Sequence, residues 1–280
     1  MKNLLVFQSD FGLVDGAIAA MYGVANEVDE NLKIYNLTHD ISPYNIWEAS
    51  YRLFQSVEYW PKDTVFVSVV DPGVGSSRKS VVALTKCGHY IVTPDNGALT
   101  HLKKYVGISE IREIQELKHR RQNTEASFTF HGRDVYAYTG AKLAAGIITF
   151  EEVGESLSVE NIVELEIGKI LKKEKSIKGS IDILDVRFGS LWTNITREDF
   201  LDIGFKVGDR IEVIIYNGST LVYNNRIVYG KSFADVYVSE QLIYVNSLYR
   251  MAVAINQGNF AKAYNIGTGI HWSIEFKRVD

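Results

Sequence analysis

The stretch Thr64-Val65-Phe66-Val67-Ser68-Val69-Val70-Asp71-Pro72-Gly73-Val74-Gly75-Ser76-Ser77-Arg78 decides how this chain is read. Its first seven residues form a nearly continuous β-branched and aromatic run, the pattern of a strand buried on both faces of a sheet. The proline and two glycines that follow force a tight loop in which backbone N–H groups can face a ligand. In open α/β sheets, ligands sit beyond the carboxyl ends of such strands. The loop can fold Asp71 and Arg78 into an ion pair, and such a pair is structural as readily as functional. Neither Gly-x-x-x-x-Gly-Lys nor Gly-x-Gly-x-x-Gly is present, so this is no Walker loop or dinucleotide fingerprint.

Working outward, Leu4–Phe7 reads as a short buried strand ending at Ser9-Asp10-Phe11-Gly12. Ala17–Val28 reads as a helix, Lys33–Leu37 as a strand and Ile46–Tyr59 as a helix. Downstream, Ser80–Leu84 and Tyr90–Thr93 read as strands, Ala98–Tyr105 and Asp134–Gly146 as helices. Strands alternating with helices predict an α/β layer with a largely parallel central sheet. The character changes near Ile167. Lys169–Lys178 reads as a charged connector, and all four prolines (Pro43, Pro61, Pro72, Pro94) precede it. Short β-rich runs follow, punctuated by Asn217-Gly218 and Asn224-Asn225, which suggests a compact antiparallel barrel or sandwich. Two domains are expected, residues 1–168 and a smaller one, 169–280.

Composition narrows the function classes. The 280 residues are 46% hydrophobic and 23% charged, with a net charge of -4. One cysteine, Cys87, excludes an intrachain disulfide and a Cys-rich zinc module, and reads as an inert core residue. The first apolar run is too short for a signal segment, and no apolar stretch is long enough to span a bilayer, so a cytoplasmic protein without membrane contact is expected. Nucleic acid is a poor partner for a chain with so little basic clustering. No histidine pair has metal-helix spacing and no Gly-x-Ser-x-Gly elbow occurs, which argues against a zinc site and a serine hydrolase.

Three further clusters carry chemistry-bearing residues. Asp10, at the first strand's end, is placed to accept two hydrogen bonds from a ribose diol, or to cap the turn that follows. His131, in Phe128-Thr129-Phe130-His131-Gly132-Arg133-Asp134, is a candidate base or water-orienting group, or a satisfied structural histidine. Asp134 in the same run is a candidate helix N-cap. Asp185-Val186-Arg187-Phe188-Gly189-Ser190-Leu191-Trp192-Thr193-Asn194 places an aromatic beside a glycine between an Asp and an Asn, which suits a purine as well as it suits a core turn. His39 follows a strand and is a candidate cleft residue.

Taken together and in this order, the clusters resemble the S-adenosylmethionine (SAM) hydroxide adenosyltransferases, adenosine-forming SAM hydrolases related to the fluorinases and chlorinases. The matching stretches are Ser9–Asp15, Leu37–Pro43 with Glu48, Asp71–Arg78, Pro94–Gly97, Phe130–Asp134, Asp185–Ile195 and Met251–Asn259. The resemblance implies an α/β N-terminal domain, a smaller C-terminal antiparallel β-barrel, and a homotrimer whose sites lie between the N-domain of one subunit and the C-domain of the next. It implies water activation by Asp71, Arg78 and His131, ribose binding by Asp10, an aromatic at Tyr44 over the sugar and methionine region, methionine contacts from Asp185 and Ser247, and adenine stacking on Phe188. SAM is then substrate, adenosine and methionine are products, and no cofactor or metal is implied. Ser190 stands where an adenine-contacting Asn is usual, Leu248 where the halogenating relatives have Arg, and Gln257 where a small residue is usual. A halogenase is the weaker alternative: its relatives carry tyrosines at the positions of Asp71 and His131, and Asp71 would repel a halide. A non-catalytic SAM or adenosine sensor would keep Asp10 and Phe188 but has no need of the charged three.

Overall fold

The structure is a computed structural model that describes residues 4–279. The chain divides after Leu165 into two compact units. The first is built from β1 (Leu5–Ser9), α1 (Ala17–Val28), β2 (Ile34–Thr38), α2 (Ile46–Ser56), β3 (Val65–Val69), β4 (Ser80–Thr85), β5 (Tyr90–Pro94), α3 (Thr100–Tyr105), β6 (Ile108–Glu113), α4 (Glu116–His119), α5 (Tyr138–Ala144) and β7 (Ser156–Leu157). The strands form one sheet in the order β2-β1-β3-β5-β4-β6-β7. β2, β1, β3 and β5 are parallel neighbours, whereas β4 runs against both β5 and β6. The sheet is therefore largely parallel, as expected.

The continuous apolar runs have a direct cause. Leu5, Phe7, Val65 and Val67 pack on one face with Met21 of α1 and Ala141 of α5. Val6 and Phe66 pack on the other with Leu53 of α2 and Leu102 of α3. Both faces of each central strand are covered, so both alternating sets must be apolar. One row breaks the pattern. Gln8 and Ser68 are paired across β1 and β3, both are buried, and Gln8 Nε2 donates to Ser68 Oγ and to the Ala49 carbonyl of α2. A polar row that bonds only in one alignment fixes strand register.

The second unit comprises β8 (Leu171–Lys173), β9 (Ser176–Leu184), β10 (Leu191–Thr196), α6 (Arg197–Asp202), β11 (Arg210–Asn217), β12 (Thr220–Tyr229), β13 (Gln241–Val245), β14 (Arg250–Ile255), α7 (Phe260–Tyr264) and β15 (Gly269–Lys277). Seven strands close into a barrel, β10-β14-β13-β12-β11-β15-β9, with β9 returning to β10. Every neighbouring pair in the ring is antiparallel except β12 and β13. That exception is required by parity: a closed ring of seven strands cannot alternate direction throughout. Closure also removes exposed sheet edges. The interior is filled by Ile181, Leu191, Ile211, Val213, Phe200 and Phe276.

Some local expectations need correction. Lys169–Lys178 is no plain connector: β8 pairs with β9 as a hairpin, and Lys172 is bonded to Asp199 and Asp202. Asp134 is no N-cap. It is fully buried inside a π-helical turn, Gly132–Ala137, where both carboxylate oxygens accept from Arg133. Cys87 is half-buried, with Sγ 3.2 Å from Thr85 Oγ1. No helix among the described residues is long and apolar enough to cross a membrane.

Candidate active site

Asp71 leaves the sheet at the carboxyl end of β3, and Arg78 comes back seven residues later, just before β4. The loop folds them together. Arg78 Nε lies 3.0 Å from both Asp71 oxygens, and Nη2 is 2.6 Å from Oδ2. Both side chains are nearly buried. The strand end is tied down by Asn96, whose Nδ2 donates to the Val70 carbonyl at 2.9 Å. Burial works against the Arg78 charge, but the hydrogen bonds it donates to Asp71, and the nearby Asp71, Tyr136 and Glu116, hold it firmly as a cation.

His131 meets the same guanidinium. Arg78 Nη2 is 2.8 Å from His131 Nδ1. A guanidinium can only donate, so Nδ1 accepts, and in the neutral ring Nε2 carries the proton. The His131 pKa is lowered, first by burial, with Arg78 and Arg120 adding to the effect and Glu116 and Asp71 opposing it. His131 is therefore neutral at pH 7. Its Nε2 is buried without a protein partner.

The π-helical turn explains how one guanidinium reaches two rings of this segment. Residues five apart in an α-helix point about 140° away from each other. An i→i+5 turn brings them toward one side. Tyr136 thus lies with its ring 5.6 Å from the Arg78 guanidinium while His131 bonds Nη2. Burial raises the Tyr136 hydroxyl pKa, and Asp71 raises it further, so the phenol stays protonated. Gly132 is needed for close approach: a Cβ there would meet the rings of Phe11 and Phe130 at 3.2 and 3.3 Å.

Asp71 and His131 line a cavity of about 250 Å³ with Asp10, Tyr44, Phe11 and Phe130. Asp10 Oδ2 accepts the Tyr44 backbone N–H at 2.8 Å, which steadies a tyrosine held at φ 65. The capping and the ligand-facing readings of Asp10 are thus compatible, since one oxygen holds the turn. His39 lies behind the wall of this cavity. It is buried, Nδ1 bonds Ser9 Oγ at 2.7 Å and Nε2 bonds Asn36 Oδ1 at 3.0 Å. Burial lowers its pKa to about 4, against the pull of Asp40. Its carbonyl accepts from Gly12 N–H, so it braces the Asp10–Gly12 turn.

The second unit carries a separate cavity of about 1090 Å³, lined by Asp185, Phe188, Ser190 and Ser247, and by Gln257. The turn that presents Phe188 depends on Gly189, at φ +68, where a Cβ would lie 2.0 Å from Asn259 Oδ1. Phe188 stands 69% exposed as a result. Ser190, by contrast, is buried and its hydroxyl bonds Tyr244, which also accepts from Trp192 Nε1 at 3.2 Å. Leu248 is not part of the lining. Trp192, within the Asp185–Asn194 run, lines the cavity too, and sequence reading missed Phe233 and Tyr244, which line it as well. It also missed Ser80 and Glu116, because a serine and a glutamate far apart in sequence carry no local signal. Among the described residues no group of three or more His, Cys, Asp or Glu is gathered as a metal site.

An α/β unit with a charged strand-end loop, followed by a closed seven-stranded barrel with an aromatic cavity, defines a recognisable class. Residues 5–154 match the model of the SAM hydroxide adenosyltransferase N-terminal domain and residues 179–273 that of its C-terminal domain. The chain belongs to the SAM hydroxide adenosyltransferase family. It is 35% identical to a protein named (R)-S-adenosyl-L-methionine hydrolase from Methanocaldococcus jannaschii, over 76% of this chain and 73% of the relative. It is 25% identical to a fluorinase of Actinopolyspora mzabensis over 96% of both. The crystal structure of an uncharacterized conserved protein from Thermotoga maritima superimposes with a TM-score of 0.89 at 32% identity, covering 98% of this chain and 100% of that one.

Proposed function

We propose that this protein hydrolyses S-adenosylmethionine to adenosine and methionine, acting on the (R) sulfonium epimer named in its hydrolase relatives. One observation carries the reading. Arg78 occupies His131 Nδ1, which makes Nε2 a donor, while the neighbouring Asp71 carboxylate can only accept. A water between them donates one hydrogen to Asp71 and accepts from His131. Its remaining lone pair is then free to attack C5′ from about 3–3.5 Å, opposite sulfur. The C5′–S bond breaks with its electron pair going to sulfur, which leaves as the neutral thioether of methionine. The water proton passes to Asp71 and then to solvent. The leaving group needs no general acid, and SAM is consumed as substrate.

In this proposal Asp10 holds the ribose hydroxyls and Tyr44 covers the sugar. Phe188 stacks on adenine, Ser190 stands beside it, and Asp185 and Ser247 take the methionine end. A halide in place of water would face the Asp71 carboxylate, which disfavours halogenation. The homotrimer implied by the family resemblance is part of the same proposal, and light scattering of the purified protein tests it.

Incubation with each sulfonium epimer of SAM in oxygen-18 water tests the chemistry. Labelled adenosine with free methionine, from the (R) epimer above all, is the expected outcome. SAM that binds and is recovered intact would replace the hydrolase with a sensor.

A further inference from the structure

Arg78 is held from two sides. Nε and Nη2 face Asp71 and His131, whereas Nη1 donates to Ser80 Oγ at 2.9 Å. Ser80 opens β4 and is buried. Its hydroxyl donates in turn to Glu116 Oε1 at 2.6 Å. Glu116 opens α4, with Oε1 3.9 Å from Arg78 Nη1 and Oε2 4.0 Å from Arg120 Nη1. Asp71, Arg78, Glu116 and Arg120 thus alternate in sign, and with His131 neutral their charges cancel.

We propose that Glu116 is a positioning residue of this reaction centre: through Ser80 it fixes the plane of the Arg78 guanidinium, and its carboxylate completes the charge network in which His131 sits. The kinetic consequence rests on the hydrolase reading; the electrostatic one does not. A guanidinium clamped only by Asp71 can tilt about that contact. A hydrogen bond on the opposite nitrogen removes the tilt, and a misplacement of the order of 1 Å at a reacting centre costs about 100-fold in rate. The charged groups facing His131 are Glu116 and Asp71, which favour the imidazolium, and Arg78 and Arg120, which oppose it. Phe128 stands edge-on to the ring, 6.2 Å away, and carries no charge. Neutralising Glu116 leaves two arginines beside one carboxylate, so the imidazolium becomes harder to form.

The test is Glu116→Gln, which keeps the shape and removes the charge. The His131 ring proton is followed by NMR against pH, identified by its loss in His131→Asn. A fall in the His131 pKa is expected, with the acid limb of the SAM cleavage profile moving the same way. Gln Oε1 still accepts from Ser80, so the guanidinium stays clamped and kcat above the acid limb should change by less than about threefold. A folded Gln variant whose His131 titration matches wild type overturns the electrostatic role. Ser80→Ala, made alongside it, removes the bridge and keeps the charge. It should lower kcat about 10-fold or more, with KM within about twofold and the His131 pKa retained, and unchanged kcat overturns the bridging role. Wild-type protein that leaves SAM intact while Glu116→Gln still shifts His131 refutes the hydrolase reading and upholds the electrostatic one. SAM cleavage by wild type with no shift does the reverse.

Discussion

The two cavities are built on opposite principles. The first unit's cavity has Asp71 and His131 in its wall, locked by Arg78, whose N–H groups go to Asp71, His131 and Ser80. The second unit's cavity is about four times larger, 1090 against 250 Å³, and presents an exposed ring, Phe188, on a turn. Charged groups that must meet a reacting atom gain from being fixed before the substrate arrives, because no reorganisation is then needed at the moment of reaction. An aromatic surface that holds a purine gains from exposed area. The division predicts that damage to the first unit is read in kcat and damage to the second in affinity.

Asp71→Asn is the strongest challenge to that division. It should lower kcat by about 1000-fold, within the range for loss of a general base, while SAM affinity by calorimetry changes only a few-fold. A variant with full turnover would remove Asp71 from the chemistry.

Acid tolerance should divide in the same way. Five of the six histidines lie in the first unit, and the second unit's His271 is exposed. Burial lowers the pKa of His39, His89, His119 and His131. These groups are more easily protonated unfolded than folded, so stability is complete above about 6.5 and is lost as pH falls toward their folded values. For His39, displaced from 6.5 to about 4, the loss is roughly 3 kcal/mol across that window. Hydrogen exchange at pH 7 and pH 4.5 should show the first unit opening first. Equal loss in both units would show that buried histidines do not govern acid stability.

Phe188→Ala should weaken SAM binding by roughly 10- to 100-fold, the worth of one stacked base, and leave kcat within a few-fold. A large fall in kcat at saturating SAM would mean that the cradle also aligns C5′. The smallest effect on turnover is expected at Gly189→Ala. A left-handed residue pressed against Asn259 should cost about 1–3 kcal/mol of stability, seen as a lower melting temperature, with Asp71 chemistry intact in the folded fraction.

Much of the fold is legible because both sheet faces are buried. The run Thr64–Val70 shows it at once, and the switch to short β runs after Ile167 marks the second unit. The closing of the barrel is harder to read, since pairing of β9 with β10 and β15 depends on contacts far apart in sequence. The hairpin that β8 (Leu171–Lys173) forms with β9 is hidden by its charge, because β8 is exposed along its length and tolerates lysines there. Asp71, Arg78 and His131 stand out through their glycine-flanked loops. The π-helical turn after His131 does not, because no residue type there demands an i→i+5 turn.

The sequence alone determined the class of layers, the strand-end loops and the identity of the groups able to do chemistry, since these follow from local pattern and side-chain type. Only the tertiary structure decided which nitrogen of His131 is a donor, that Asp134 is a buried partner of Arg133, and that Ser80 and Glu116 stand behind Arg78. Those outcomes depend on which groups meet in space after burial, and hydrogen-bond direction is set by the partner that folding supplies.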